Sequence, residues 1–233
     1  MYRTRDIIAG RALRAIHESA IPGIIYMHKK WLEHAGGCRA DFRQANLYNI
    51  DFSAPEISFS QKGADLSMSD FRGALLRDCN FSRSNSAEPP HNIAVILYRA
   101  NFRYTISDAA NCNHVAADGA DFTGSDLRGA GFKYASLIHA GFRNVDASYS
   151  TFLGADLRAA DFRGATLHEA VLMGADLRGA DFSRAILTGA NFCGADLRGA
   201  NLHNAVFSRD DIYGAVFEDP AEPADANGAD RNG

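Results

Sequence analysis

The chain has 233 residues, of which 46% are hydrophobic and 22% are charged, and its formal net charge is −4. This length allows one large or two small domains, and the apolar content is ordinary for a folded protein. So small a net charge does not by itself indicate a nucleic-acid or membrane partner.

The charge is unevenly distributed along the chain. Residues 1–40 contain seven Lys and Arg against three Asp and Glu, whereas residues 41–233 contain 17 against 25. Two differently solvated surfaces account for this difference. The alternative is that the basic N-terminal segment lies on a membrane or binds a partner, but we expect neither a membrane nor nucleic acid to be bound directly.

The four cysteines are scattered, without a CxxC pair and without histidines at ligand spacing, so we expect no metal and no cofactor. They favour a reducing, cytoplasmic compartment. The apolar stretch 21–27 contains Pro22 and Gly23 and is too short to span a bilayer. No continuous apolar segment follows the N-terminal arginines, so we expect no signal peptide.

Residues 1–37 are predicted to form a helical N-terminal cap. Residues 5–20 place Ile8, Ala12 and Ile16 on one side of a helix. Pro22 suits the start of a second helix, and Gly36 and Gly37 would end it.

A five-residue repeat dominates the rest of the chain. From Ala120 the sequence reads ADFTG SDLRG AGFKY ASLIH AGFRN, with a small residue first and Leu or Phe third. The first and third residues lie two apart, so in an extended segment both point to the same side. The pattern also recurs at every fourth unit, as at Phe122, Phe142 and Phe162, which predicts four sides per turn. Residues 41–217 would then make about nine coils and a rod of about 40 Å.

The repeats extend over residues 38–217, with interruptions predicted near 58–63 and 82–96. The spacing from Phe52 to Leu66 is 14, one short of three repeats, and from Phe81 to Leu97 it is 16, one more than three. Weaker units surround Cys112 and Ala117, and Ala147 replaces a Leu or Phe. Residues 218–233 lack large apolar side chains and are predicted to form a disordered tail.

The second interruption includes a proline pair that cannot continue a β-ladder, so it predicts a loop leaving the rod. Loops on rigid scaffolds often carry function, although a tolerated insertion is the alternative. The candidate loop residues are Ser86, Glu88, Pro89, Pro90, His91 and Asn92.

The units resemble those of the pentapeptide-repeat family, whose consensus is A(D/N)LXX. The resemblance implies an all-β solenoid, a right-handed quadrilateral β-helix, with the helical segment as its N-terminal cap. The stretch HKKWLEHAGGCRADFRQANL is also similar to the lead-in of bacterial members. Some relatives imitate duplex DNA and bind DNA gyrase, and such relatives commonly dimerise through an apolar C-terminal element that this tail lacks.

Catalysis is not expected. Asp recurs because the repeat favours it, and no nucleophile motif or phosphate-binding loop is present. A duplex mimic needs a strongly negative surface. Residues 120–219, however, contain 13 acidic against nine basic residues, and columns such as Asp176 and Arg178 would neutralise each other.

One side of the predicted rod is apolar, with only Lys133 and Asp211 charged among the outward positions compared. A flat apolar stripe of this kind indicates a contact surface for a protein partner or a second copy, although neighbouring polar residues can also reduce it to ordinary surface. We therefore predict a non-enzymatic protein-interaction scaffold, with a DNA-mimicking modulator of gyrase as the alternative. The candidate contact residues are Tyr134, Leu153, Val171, Met173, Cys193 and Tyr213.

Overall fold

The computed structural model describes residues 13–52, 64–82 and 95–217. The backbone winds into stacked coils that are joined by parallel bridges, and from Ile96 onward bridged residues are 20 apart. Successive bridges along a coil lie five apart, so each coil has four faces. We number the faces from the first coil by their bridging residues: Asp41 lies on face 1, Asn46 on face 2, Asp51 on face 3 and Asp65 on face 4.

The five-residue unit forms one face because its positions have different roles. In the unit that begins at Ala155, the first and third side chains (Ala155 and Leu157) are buried. The second residue bridges the neighbouring coil, and the fifth has a left-handed backbone, as at Ala159 with φ 54°. The corner is closed where the next unit begins, by a 3.0 Å hydrogen bond from the Ala160 N–H to the Leu157 carbonyl.

The core is a continuous column of apolar side chains along the rod. Phenylalanine rings stack along faces 1 and 3, as between Phe142 and Phe162, whose centroids are 4.7 Å apart. Rings on opposite faces meet edge to face, as do Phe142 and Phe152 at 5.7 Å. Faces 2 and 4 contribute mainly leucines. This packing matches the preferred geometries of aromatic pairs.

The described residues form eight coils, and the prediction of about nine is wrong. The step from face 3 to face 4 runs from Asp51 to Asp65 in the first coil and from Asn80 to Ile96 in the second, where a regular step is a single unit. The two insertions together contain as many residues as one regular coil, which accounts for the difference. The bridge positions of face 1 are Asp41, Asp70, Asn101, Asp121, Gly141, Asp161, Asp181 and Asn201.

Both insertions lie at the same corner, between faces 3 and 4, in adjacent coils. Each break is a single step with an insertion, because Asp51 and Asp65 are one face apart, as are Asn80 and Ile96. Residues 53–63 and 83–94 lie outside the described ranges, as do the candidate loop residues Ser86, Glu88, Pro89, Pro90, His91 and Asn92 and the tail 218–233.

The weaker repeats form regular coils. Cys112, Ala117 and Ala147 occupy the third position of their units and are 5%, 0% and 0% exposed. The bridges around them keep the regular spacing of one coil. A small side chain at the third position is tolerated because the flanking coils hold the backbone ladder in place.

The N-terminal segment differs from the predicted helix over 5–20 wherever it is described. Strand β1 (Arg14–Ala15) pairs in parallel with β2 (Ala45–Asn46), and a 3₁₀ turn spans Glu18–Ala20. The amphipathic pattern is overridden because β1 adds to the edge of face 2, where the first coil has no preceding coil to pair with.

The second predicted helix is present as α1 (Ile21–Leu32), with proline in its first turn. Ile21 and Ile25 are at most 2% exposed and belong to the rod's core. Gly37 lies beyond the helix with φ 94°, and a Cβ there would clash with the Met27 carbonyl. In the described parts of the chain, no helix is long and apolar enough to cross a membrane.

Candidate interaction surface

The predicted contact residues lie together on face 3 of the last five coils. Backbone hydrogen bonds align their positions: the Tyr134 N–H donates to the Leu153 carbonyl at 2.9 Å, and the Gly154 N–H donates to the Met173 carbonyl at 2.9 Å. We call Tyr134, Leu153, Val171, Met173, Cys193 and Tyr213 the apolar strip. The predicted alignment of these residues is therefore present.

The strip is exposed to different degrees along its length. Tyr213 is 79% exposed, Tyr134 57% and Met173 37%. Cys193 is exposed and carries a free thiol, whereas Leu153 and Val171 are half-buried. The two tyrosines thus stand at the ends of a shallower apolar segment.

Tyr134 is held in a fixed position by its neighbours in the adjacent coils. Its ring stacks on His114 with centroids 5.2 Å apart. On its other side it lies over Gly154, where an added Cβ would meet ring carbons at 2.7 Å. Because Gly154 has φ 62° and no side chain, it both forms the corner and makes room for the ring.

The middle of the strip is uncharged. Lys133 marks one end of this stretch on face 3, and Asp211 marks the other. The Asp211 carboxylate accepts hydrogen bonds from the Gly189 N–H at 2.9 Å and the Ser208 N–H at 2.6 Å. These backbone bonds hold its charge at the end of the rod and away from the strip's centre.

Face 4, beside the strip, carries the ladder of opposite charges that the sequence predicts. Arg178 contacts Asp176 of its own repeat at 2.6 Å and Asp196 of the next coil at 3.8 Å. The hydrogen bond from Arg178, partly opposed by burial, holds the pKa of Asp176 below its ordinary value. The ladder is therefore paired internally, and exposed pairs of this kind stabilise a fold only slightly.

Face 1 is also paired, most tightly at Asp70. Asp70 is 1% exposed, and its carboxylate accepts from Arg72 at 2.7 Å and from Arg39 at 3.1 Å. Burial opposes ionisation, but these arginines outweigh it and hold the pKa of Asp70 below its ordinary value. On these two faces arginines neutralise carboxylates, so neither face presents the unbroken negative charge of a duplex.

A buried histidine on helix α1 was not predicted from the sequence. His28 on α1 is 0% exposed and forms hydrogen bonds with both ends of the first coil. The helical pattern around it indicated only apolar contacts, and no local sequence signal distinguishes a buried histidine from an exposed one. Within the described ranges, no group of three or more His, Cys, Asp or Glu is arranged to hold a metal ion.

A family model described as pentapeptide repeats matches the chain in eight copies, at residues 62–85, 96–133, 108–144, 140–179 and 175–209. These ranges cover more than half of the chain. No curated protein matches the chain.

Solved structures of pentapeptide-repeat proteins are similar to the chain. Trypsin-treated QnrB1, a plasmid-mediated fluoroquinolone resistance protein, is 20% identical, with 74% of this chain and 79% of that chain covered and a TM-score of 0.51. HetL from Nostoc sp. strain PCC 7120 is 21% identical over 83% and 98% of the two chains, with a TM-score of 0.32.

A thylakoid-lumen protein from Arabidopsis thaliana is 29% identical over 47% of this chain and 72% of that chain, with a TM-score of 0.36. At these identities the likeness to QnrB1 establishes the fold alone, a right-handed quadrilateral β-helix, as predicted.

Proposed function

Because the chain belongs to the pentapeptide-repeat family, we propose that it acts without catalysis, as a rigid scaffold that binds another protein through the apolar strip. The observation that carries this proposal is the strip itself. It is an uncharged, partly exposed row of side chains, fixed on a hydrogen-bonded face beside the charged ladder of face 4.

The geometry of the strip suits protein binding. Tyr134 and Tyr213 are large, exposed aromatic side chains, which often contribute most to binding energy at interfaces. Tyr134 is already held by His114 and Gly154, so fixing its side chain in a complex would cost little conformational entropy. The partner is a protein with a matching apolar surface or a second copy of this chain.

The decisive experiment replaces Leu153 and Met173 together with lysine. We expect the double variant to stop retaining a protein partner or, if the partner is a second copy, to have a lower mass in solution. The reason is that two charges would be placed in the apolar contact. Lysine at Ile186, which is 42% exposed on face 2, is the matched control. Partner retention and solution mass that are unchanged in the double variant would refute the proposal.

A second candidate is modulation of DNA gyrase by duplex mimicry. Its support is the likeness in fold to QnrB1, which is named as a fluoroquinolone resistance protein. The arginine pairing of Asp70 and Asp176 argues against it, because a mimic must present unpaired negative charge to a site that binds phosphates.

The two candidates differ in their response to salt. Gyrase supercoiling, measured at low and moderate salt with and without a fluoroquinolone, tests the mimic directly. Inhibition or drug protection that weakens steeply with salt would favour mimicry. Salt-insensitive binding that is lost with the Leu153 and Met173 variant would favour the scaffold.

Three further assignments complete the proposal. Helix α1 caps the first coil, and the loop around Pro89 and Pro90 gives a second contact for the partner. The protein works in a reducing, cytoplasmic compartment, which suits its four free cysteines. Deleting residues 86–92 tests the loop: partner retention should fall while the oligomeric state of the unbound protein stays the same.

A further inference from the structure

His28 joins helix α1 to both ends of the first coil. Its Nδ1 atom lies 3.0 Å from the Ala40 nitrogen, where face 1 begins. Its Nε2 atom lies 2.9 Å from the Ser67 carbonyl oxygen on face 4, and 3.3 Å from the Ser69 hydroxyl. The ring is fully buried and stacks on Trp31 with centroids 5.5 Å apart.

The imidazole substitutes for backbone that the first coil lacks. In the second coil, the carbonyl of Tyr98, which corresponds to Ser67, accepts a 2.8 Å hydrogen bond from the N–H of Met68 in the coil before it. The N–H of Ser69, which corresponds to Ala40, donates to the carbonyl of Leu66 three residues back at 3.1 Å. The first coil has no preceding coil, and His28 satisfies both groups at once.

These contacts require one protonation state. The Ala40 N–H can only donate, so Nδ1 must accept and carry no hydrogen. Nε2 must then carry the hydrogen that it donates to the Ser67 carbonyl. A second proton on Nδ1 would face the Ala40 N–H donor to donor, inside a fully buried site.

We propose that His28 is a proton-operated latch, which holds helix α1 on the rod when neutral and releases it when protonated. Release would leave the Ala40 N–H and the Ser67 carbonyl without their partner and would uncover the edge of the first coil at faces 1 and 4, whereas β1 pairs with the edge of face 2. Unpaired strand edges of this kind associate with other chains. Acidification therefore exposes an end of the rod that can associate with other chains.

The surroundings of the ring support a neutral histidine. Burial is the largest influence and lowers the pKa of His28; Arg39 acts in the same direction, whereas the Ser67 carbonyl and Asp65 act against them. Arg39 is itself paired with Asp70 at 3.1 Å. On α1, Lys29 and Glu33 form a 4.0 Å pair, and Trp31 covers one face of the ring.

The sign of the pH effect follows from this lowered pKa. The released helix exposes a histidine with an ordinary pKa of about 6.5, so the released state binds a proton more readily than the docked state. Docking is therefore fully stable above pH ~6.5. Below it, the ratio of docked to released helix falls by up to about tenfold per pH unit until the docked-state pKa is reached.

Nuclear magnetic resonance of the wild-type chain with ¹⁵N-labelled histidine tests the ring directly. We expect the Nε2–H tautomer at pH 7.5 and a midpoint below pH ~6.5. A ring that titrates at or above that value, or one that carries its hydrogen on Nδ1, would overturn the proposal. The measurement uses the wild-type chain, so its result does not depend on whether a variant folds.

Tryptophan emission tests the release. Trp31 is the chain's single tryptophan and stacks on His28, so its emission wavelength reports on α1. We expect a reversible red shift as His28 titrates, with the circular dichroism of the rod unchanged. In His28→Gln, whose amide accepts and donates but does not titrate, the shift should be absent. An equal shift in this variant, or none in the wild type after the ring has titrated, would refute the latch.

Discussion

Replacing Phe142 with alanine should destabilise the rod more than most single substitutions in a protein. Phe142 is 0% exposed and stacks on Phe122 at 5.0 Å and on Phe162 at 4.7 Å. Its edges meet Phe132 at 6.1 Å and Phe152 at 5.7 Å. Removing the ring leaves a cavity lined by four other rings.

The cavity cannot collapse easily. The backbone on either side is held by ladder hydrogen bonds, such as the 2.7 Å bond from the Phe142 N–H to the Asp161 carbonyl. Phe→Ala substitutions in cores cost about 3–5 kcal/mol, and a rigid site belongs in the upper half of that range. We expect a loss of about 4–5 kcal/mol in the free energy of unfolding.

Urea denaturation followed by circular dichroism measures this loss, with hydrogen exchange showing whether the coils unfold together. Two controls set the scale. Phe142→Leu keeps an apolar side chain of the type that Leu202 places in the same column and should cost clearly less than Phe142→Ala, because it leaves a smaller cavity. Phe207→Ala, in the partly exposed last coil, should cost about 1–2 kcal/mol. If Phe142→Ala costs no more than Phe207→Ala, the continuous ring stack does not stabilise the rod as argued.

Two smaller predictions concern the strip and the buried thiols. Gly154→Ala should cost more in thermal unfolding than Gly174→Ala, which faces open space and bears only the left-handed backbone cost of about 1–2 kcal/mol; equal costs would show that the Tyr134 ring yields freely. Cys193 should react with a thiol reagent at pH 8 within minutes, whereas Cys79 should not, because burial raises the pKa of its thiol to about 12; equal labelling of both in the folded protein would contradict the described core.

Much of this protein could be predicted from its repeat alone. A small residue and a Leu or Phe two positions apart must point to the same side of an extended segment. The recurrence at every fourth unit then placed Phe142 over Phe122, and it aligned Leu153 with Met173 on one face. Both relations follow from the number of residues between units, and the structure has them as predicted.

The predictions failed where distant segments determine the arrangement. The repeat pattern does not show how many faces a break spans, so the predicted number of coils counts the inserted residues as repeats, although Asp51 to Asp65 is one step with an insertion. The segment around Arg14 and Ala15 read as helix, but pairing with Ala45 and Asn46 made it a strand. In both cases contacts between segments far apart in the chain decided the outcome.

The sequence by itself determined which side chains face inward and which residues share a column, because both follow from a period of five repeated over adjacent coils. Only the tertiary structure decided how the first coil ends. The Ala40 N–H and the Ser67 carbonyl lie far apart in the chain, and both need a hydrogen-bond partner that no preceding coil supplies. His28 meets that need from a separate helix, and backbone groups left at the end of a ladder have no signature in the local sequence.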